Sequence, residues 1–400
     1  MPDSITDDGI DPDAVINLAG ALVRLRTVSD PGAAVVESPA ADLVAGVMRG
    51  FGWDVVVGEV APGRPNVVGI INGAGPGRTL MFEGHCDVVT EGSGADWSFD
   101  AYAGDVVDGL LRGRGAADMK GGVAAMIHAA RAVQRSGFAG RIIVGVLADE
   151  EGMMLGAKHF AASELARSGI DGVIVGEPEA GEICASAKGA LRLRIDLAGV
   201  MAHGAMPQHG RNPIPAIGPL LVGFAELERQ IGASVGTHPE LGDFYLTPTV
   251  VHAGAAEQAN VIPALASLHL DARTVPAVDH GGLIHLVTRL SEQIAEEFGL
   301  TASLTVIDDR PPVDTPRAAP VVAALSAAHR EILGTEPVFG GVPGTTDGTI
   351  LTRDAGLQTV VYGPGGKWIA HQVDEVCAVD DIITSARVFA RAAAIFLDQP

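Results

Sequence analysis

The run Arg141-Ile142-Ile143-Val144-Gly145-Val146-Leu147-Ala148-Asp149-Glu150-Glu151-Gly152 shows what kind of sheet this chain builds. Its apolar part has no polar alternation, so both faces of the strand are buried, as in a parallel sheet covered on two sides. It stops abruptly at three acids and a glycine. Ligands in open α/β sheets gather beyond the carboxyl ends of strands, so this strand delivers carboxylates to a functional edge. Unpaired, the adjacent acids repel one another and read as a solvated loop; a cation would relieve the repulsion.

Outward from this strand the pattern repeats. Amphipathic helices are expected at Asp13–Arg26 and Pro39–Gly50, then strands at Trp53–Val60, Asn66–Ile71 and Thr79–Glu83. Gly121–Arg135 reads as a helix, followed after Arg141–Ala148 by helix Gly156–Ala166 and strand Gly172–Gly176. After about Ser186 the character changes. Leu191–Leu197 (LRLRIDL) alternates apolar with charged residues, helices are expected around Pro213–Gln230 and Leu283–Phe298, and strands at Thr247–Ala253, Ala266–Arg273 and Ala302–Asp308. Alternating strands of this kind leave one sheet face in water. Helix Ala319–Leu333, strand Thr359–Tyr362 and helix Ile382–Leu397 then resume the first pattern. The reading is an α/β fold: a mostly parallel-sheet catalytic domain with helices on both faces (1–185 and 311–400), interrupted by an inserted α+β domain (186–310).

Length agrees, because single cores stop growing at about 250–300 residues and this chain has 400. The balance of 27 basic against 49 acidic residues leaves a net charge of −22. That surface repels phosphate backbones and anionic lipids, so neither nucleic acid nor a membrane is an expected partner. Met1–Pro12 is acidic and polar and reads as no signal peptide. The 3 cysteines, Cys86, Cys184 and Cys377, are odd in number and widely spaced, as reduced thiols of a cytoplasmic protein would be.

Five clusters carry the chemistry. In His85-Cys86-Asp87 the first and third residues share a side of an extended chain, so Asp87 can orient an imidazole that binds metal; Cys86 points away, into the core. Asp118 lies in the Gly-rich Gly113–Gly122, where the plain alternative is a cap on the next helix. The third is Asp149–Gly152, the fourth Glu177 in Gly176-Glu177-Pro178-Glu179, and the fifth His371 in Ala370–Glu375. Each alone could be an ordinary loop or core residue. Together they supply two imidazoles and several carboxylates, a donor set suited to Zn²⁺ and also to Co²⁺ or Mn²⁺. Two such cations, Asp118, Glu151, Glu177 and a bridging hydroxide come close to neutrality.

Gly84-His85-Cys86-Asp87-Val88-Val89, Gly113–Gly122, Asp149–Gly152, Gly176–Pro178 and Ala370–Glu375 stand in the order seen in the M20 metallopeptidase family. The resemblance covers nearly the whole chain. It implies a two-metal amidohydrolase that cleaves the amide bond of small N-acyl amino acids by attack of a metal-bridging hydroxide. His85 and Glu177 are implied for one metal and Glu151 and His371 for the other, with Asp118 bridging. Glu150 is implied as general acid and base, Asp87 as the carboxylate behind His85, and a cis peptide between Asp118 and Met119. The insertion resembles the family's lid and dimerisation domain, which implies a homodimer. There His203, with His209 the poorer match, resembles the oxyanion-binding His, donated within the chain or from a partner subunit. Asn260, Arg273 and Thr345 match substrate-binding positions. The last stands in Gly344-Thr345-Thr346-Asp347-Gly348, where the family has Gly-Thr-Ser-Asp-Gly.

A metallo-exopeptidase, either dipeptidase or carboxypeptidase, would use the same residues. An N-carbamoyl amidohydrolase fits less well, because Asp96-Trp97-Ser98-Phe99-Asp100 resembles the deacylase and peptidase branch. A metal-free binding relative would lack a ligand, and every matching ligand position here holds a usable side chain.

Overall fold

A computed structural model describes residues 9–29 and 37–399; most of the acidic opening, 1–8, lies outside them. The chain divides into two compact units. One comprises residues up to Ser186, Asp314–Val342 and everything from Thr346 on; the other comprises Ala187–Val313 with Pro343–Thr345.

The first unit is built on a mixed sheet. Arg141–Leu147, Thr79–His85, Gly172–Val175 and Thr359–Val361 are neighbours in the sheet, in that order, and run parallel. The hairpin Asp54–Ala61 and Arg64–Asn72 adds to Arg141–Leu147 antiparallel, so the parallel character expected throughout holds at the centre and ends at this flank. The cause is local: two strands joined by a tight turn can only pair antiparallel, whereas parallel neighbours need a crossover. Helices Gly121–Ser136, Pro320–Leu333 and Val379–Leu397 pack on one another and close the core. Phe82 of the central sheet packs tilted against Phe389, and Phe389 meets Tyr362 edge to face. Cys86 is buried in this core as expected.

One close approach positions the site. A Cβ on Gly122 would stand 2.1 Å from the carbonyl oxygen of Gly176. Only glycine lets the first turn of helix Gly121–Ser136 sit directly on the end of the strand that leads to Glu177.

Several elements were not legible beforehand: strand Ile183–Ala187, helix Asp347–Ala355, and a three-stranded sheet of Val376–Ala378, Leu110–Arg112 and Val106–Val107. These strands are too short to show periodicity. The helix expected over Gly156–Ala166 ends at Ala161.

The second unit is a four-stranded antiparallel sheet in the order Tyr245–Ala253, Leu265–Thr274, Gly189–Ala198, Thr301–Arg310. Leu191, Leu193, Ile195 and Leu197 face helices Ile214–Val235 and His280–Glu297, where Leu220, Phe224, Leu283 and Val287 complete its core. The strand residues between these leucines and Ile195, namely Arg192, Arg194 and Asp196, are not buried. Among the described residues no helix is long and apolar enough to cross a membrane.

Candidate metal centre

The carboxyl ends of the parallel strands carry the site. His85 is the last residue of its strand, and Glu150, Glu151 and Glu177 follow theirs within four residues. His85 Nε2 lies 3.3 Å from Asp118 Oδ1 and 3.2 Å from Glu177 Oε1. His371 Nε2 lies 3.2 Å from Asp118 Oδ2 and 3.0 Å from Glu151 Oε1. The two oxygens of one carboxylate thus serve two clusters, each completed by one imidazole and one glutamate. Glu150 reaches within 3.9 Å of His85 Nε2.

The alternative of Asp118 as a helix cap does not hold. Helix Gly121–Ser136 begins after Lys120, with no side-chain cap, and Asp118 sits in a non-helical turn before it. The peptide between Asp118 and Met119 is cis.

The local electrostatics are those of too many carboxylates in too little water. Burial pushes Glu177 up to about 8, with Asp118 adding to it. Burial also holds Glu150 well above the usual range, opposed by His85 and reinforced by Glu177 and Asp347. Asp118 goes the other way: burial disfavours its charge, but the imidazoles of His371 and His85 beside it carry it far down. His371 rises to about 10 through Asp118 and Glu151. His85 is fully buried, which alone would lower it, yet Glu177, Asp118 and Asp87 raise it well above 6.5. Its Nε2 makes no well-formed hydrogen bond despite the surrounding oxygens. The ligand atoms of His85, Glu150 and Glu177 lie within 4.8 Å of one another, as do those of His85, Asp118 and Glu151. Oxygen and imidazole donors at this spacing, with no thiolate among them, fit divalent cations of the zinc type.

Further contacts hold these groups. The His85 ring is nearer the backbone carbonyl of Asp87, 2.9 Å from Nδ1, than its carboxylate at 3.5 Å. The Asp87 carboxylate instead accepts the N–H groups of Glu150 at 3.2 Å and Glu151 at 3.1 Å. Glu375 is fully buried, and its Oε1 accepts from the backbone of Gly115, Ala117 and Asp118 at 3.0, 3.0 and 3.1 Å. Its Oε2 accepts from Arg114 at 2.6 Å. One carboxylate therefore ties the Asp118 turn to the segment that carries His371. Sequence reasoning quoted Glu375 within a motif and assigned it nothing; an acid four residues after a candidate ligand was the available signal. Glu83 was missed too. It lies behind the site, its carboxyl pushed well above the usual range by burial and by the charge of Asp347.

In the second unit the structure brings two of the matched residues together: His203 pairs with Val261, and the next residue's N–H, that of Gly204, donates to the Asn260 carbonyl at 2.7 Å. His203 and Asn260 are exposed, and His203 Nδ1 accepts from Ala205 N at 3.0 Å. Arg273 is paired with Asp271 at 2.6 Å, and Thr345 Oγ1 accepts from Arg310 at 3.3 Å.

An α/β sheet whose strand ends gather two imidazoles and a set of carboxylates around one shared aspartate defines a candidate two-metal centre of the kind that activates water for hydrolysis. The sequence pattern of Peptidase family M20/M25/M40 matches residues 81–394, and the chain belongs to that family. It is 32% identical over 394 residues to a succinyl-diaminopimelate desuccinylase of Methylobacterium radiotolerans, covering 95% of this chain and 96% of that protein. It is likewise 32% identical to one of Phenylobacterium zucineum, over 78% of this chain and 81% of that one. Its fold is shared with an M20 family metallo-carboxypeptidase of Sulfolobus solfataricus, at a TM-score of 0.77, 17% identity and coverage of 96% and 99%. A dinuclear metal binding peptidase of the M20 family from Bacillus subtilis gives a TM-score of 0.74 at 18% identity, with coverage of 97% and 99%.

Proposed function

We propose that this hydrolase removes the acyl group from small N-acyl amino acids. His85 and Glu177 would hold one divalent cation and Glu151 and His371 a second, with Asp118 between them; zinc suits these donors best, cobalt or manganese next. The observation that carries this reading is the convergence of His85 and His371 on opposite oxygens of Asp118. When bound, such a pair of cations polarises a carbonyl and lowers the pKa of water. Glu150, buried and poorly solvated, takes a proton from the attacking water and returns it to the departing nitrogen. Arg273 presents a fork that matches a substrate carboxylate, which it can offer by exchanging Asp271 for the ligand. His203 is assigned to the oxyanion, and Asn260 and Thr345 to substrate contacts, on the match of their surrounding sequence.

The names of the curated relatives support an acyl group that itself carries a carboxylate. We place the protein in the cytoplasm, in keeping with its free, buried cysteines, as a dimer formed through the second unit. The test is a hydrolysis panel with zinc-loaded protein: N-succinyl-diaminopimelate, N-acetylornithine, simple N-acyl amino acids and dipeptides. Turnover of the N-acyl compounds well above dipeptides is expected. Preferential cleavage of dipeptides would replace the deacylase reading with an exopeptidase.

A further inference from the structure

Arg64 lies in the hairpin strand that borders the Arg141–Leu147 strand, and it is buried. Its Nη1 stands 2.7 Å from Glu37 Oε1 and 2.5 Å from Asp149 Oδ1, and donates to Ser29 Oγ at 3.3 Å. Asp149 is the first residue of the turn that presents Glu150 and Glu151. It holds a left-handed backbone conformation, φ 68°, one that few residues adopt without support. Its other oxygen accepts from Met153 N at 3.0 Å, and its carbonyl from Met154 N at 2.7 Å. The Asp87 carboxylate in turn accepts from Glu150 N and Glu151 N.

We propose that Arg64 is a positioning residue for catalysis: through Asp149 it sets the orientation of the Glu150–Glu151 turn, so that the general base is aimed correctly. The turn is thereby gripped twice, by a cation on the Asp149 side chain and by an anion on the two following N–H groups. Glu37 serves as the second anchor of the guanidinium. A burial cost of this size for an Arg with two carboxylates is poor value as stabilisation alone, since an apolar cluster of the same volume would serve as well. Held geometry is what the charges add. This inference rests on the assignment of Glu150 as general base.

The experiment compares Arg64→Met, Arg64→Lys, Asp149→Asn and the Arg64→Met/Asp149→Asn double variant with the parent, all zinc-loaded, by kcat, KM, metal stoichiometry and thermal midpoint. Arg64→Met is expected to lower kcat about 10- to 100-fold, the usual effect of losing a partner one layer behind a ligand. KM should stay within roughly threefold, while zinc is held more loosely because Glu151 shares the turn. Arg64→Lys should recover part of kcat, because a point charge still reaches one carboxylate. Asp149→Asn keeps the turn's shape and tolerates its φ, so it remains informative if Arg64→Met does not fold. The double variant should be no slower than the worse single one, as expected of two residues acting through one contact. A parental kcat in Arg64→Met or Asp149→Asn overturns the proposal, and so do additive losses. Glu150→Gln separates the two assignments: if it stays active the general-base reading fails, whereas an inactive Glu150→Gln beside a fully active Arg64→Met sinks the positioning role alone.

Discussion

Replacing Glu375 by alanine removes the acceptor for four donors at once. Three are backbone N–H groups, from Gly115, Ala117 and Asp118, and the fourth is the Arg114 guanidinium, whose side chain is 3% exposed. A buried donor left without a partner costs about 1–3 kcal/mol, and a buried ion pair broken from one side about 3–5 kcal/mol. The four share one network, so their costs do not add. A loss of about 4–6 kcal/mol is expected, a large part of the roughly 5–15 kcal/mol that holds a domain together. Glu375→Gln retains one oxygen for the three backbone donors but sets an NH2 group against the Arg114 guanidinium, losing that hydrogen bond as well as the charge. Its cost should be smaller than that of alanine but still about 2–4 kcal/mol. Urea or thermal unfolding of the three proteins gives the order parent, Gln, Ala. Calorimetric zinc titration adds a second reading: because Glu375 ties the Asp118 turn to the His371 segment, zinc affinity should fall in the same order. If Glu375→Ala unfolds at the parental midpoint and binds zinc as tightly, the carboxylate is not the clasp described here.

Two more outcomes follow from the same geometry. Gly122→Ala puts a methyl 2.1 Å from the Gly176 carbonyl; overpacking of this kind typically costs about 1–3 kcal/mol, and activity should drop with stability because the strand leading to Glu177 moves, which kinetics and a thermal melt can check together. For pH, the metal-free protein has Glu177 raised to about 8 and His371 to about 10. Groups raised on folding bind extra protons in the native state, so their contribution is full below the unfolded pKa and is lost as pH climbs through the folded one. The chelated protein should therefore melt progressively lower from about pH 4.5 to about pH 10, while zinc, which takes the place of those protons, widens the gap between loaded and chelated midpoints over the same range. A gap that narrows with rising pH would contradict the assignment of these groups as ligands.

The sheet that carries the site was readable from Arg141–Ala148 and Thr79–Glu83, because burial on both faces writes itself as an unbroken apolar run. So were the five clusters that hold His85, Asp118, Glu150, Glu151, Glu177 and His371, since each follows a strand or a Gly-rich turn and their order along the chain is distinctive. The change from continuous to alternating hydrophobicity after about Ser186 was also visible in the sequence. It could not show that Asp118 offers one oxygen to each imidazole, because His85 and His371 lie far apart along the chain and meet only through sheet order. Nor could it show that Asp87 spends its carboxylate on the Glu150 turn, that Glu375 collects three backbone N–H groups, or that Arg64 reaches Asp149. Those bonds join segments with no local relation. Periodicity reports which side of an element is buried, while a hydrogen bond depends on atoms meeting within about 3 Å, and that distance is set only when the chain has packed.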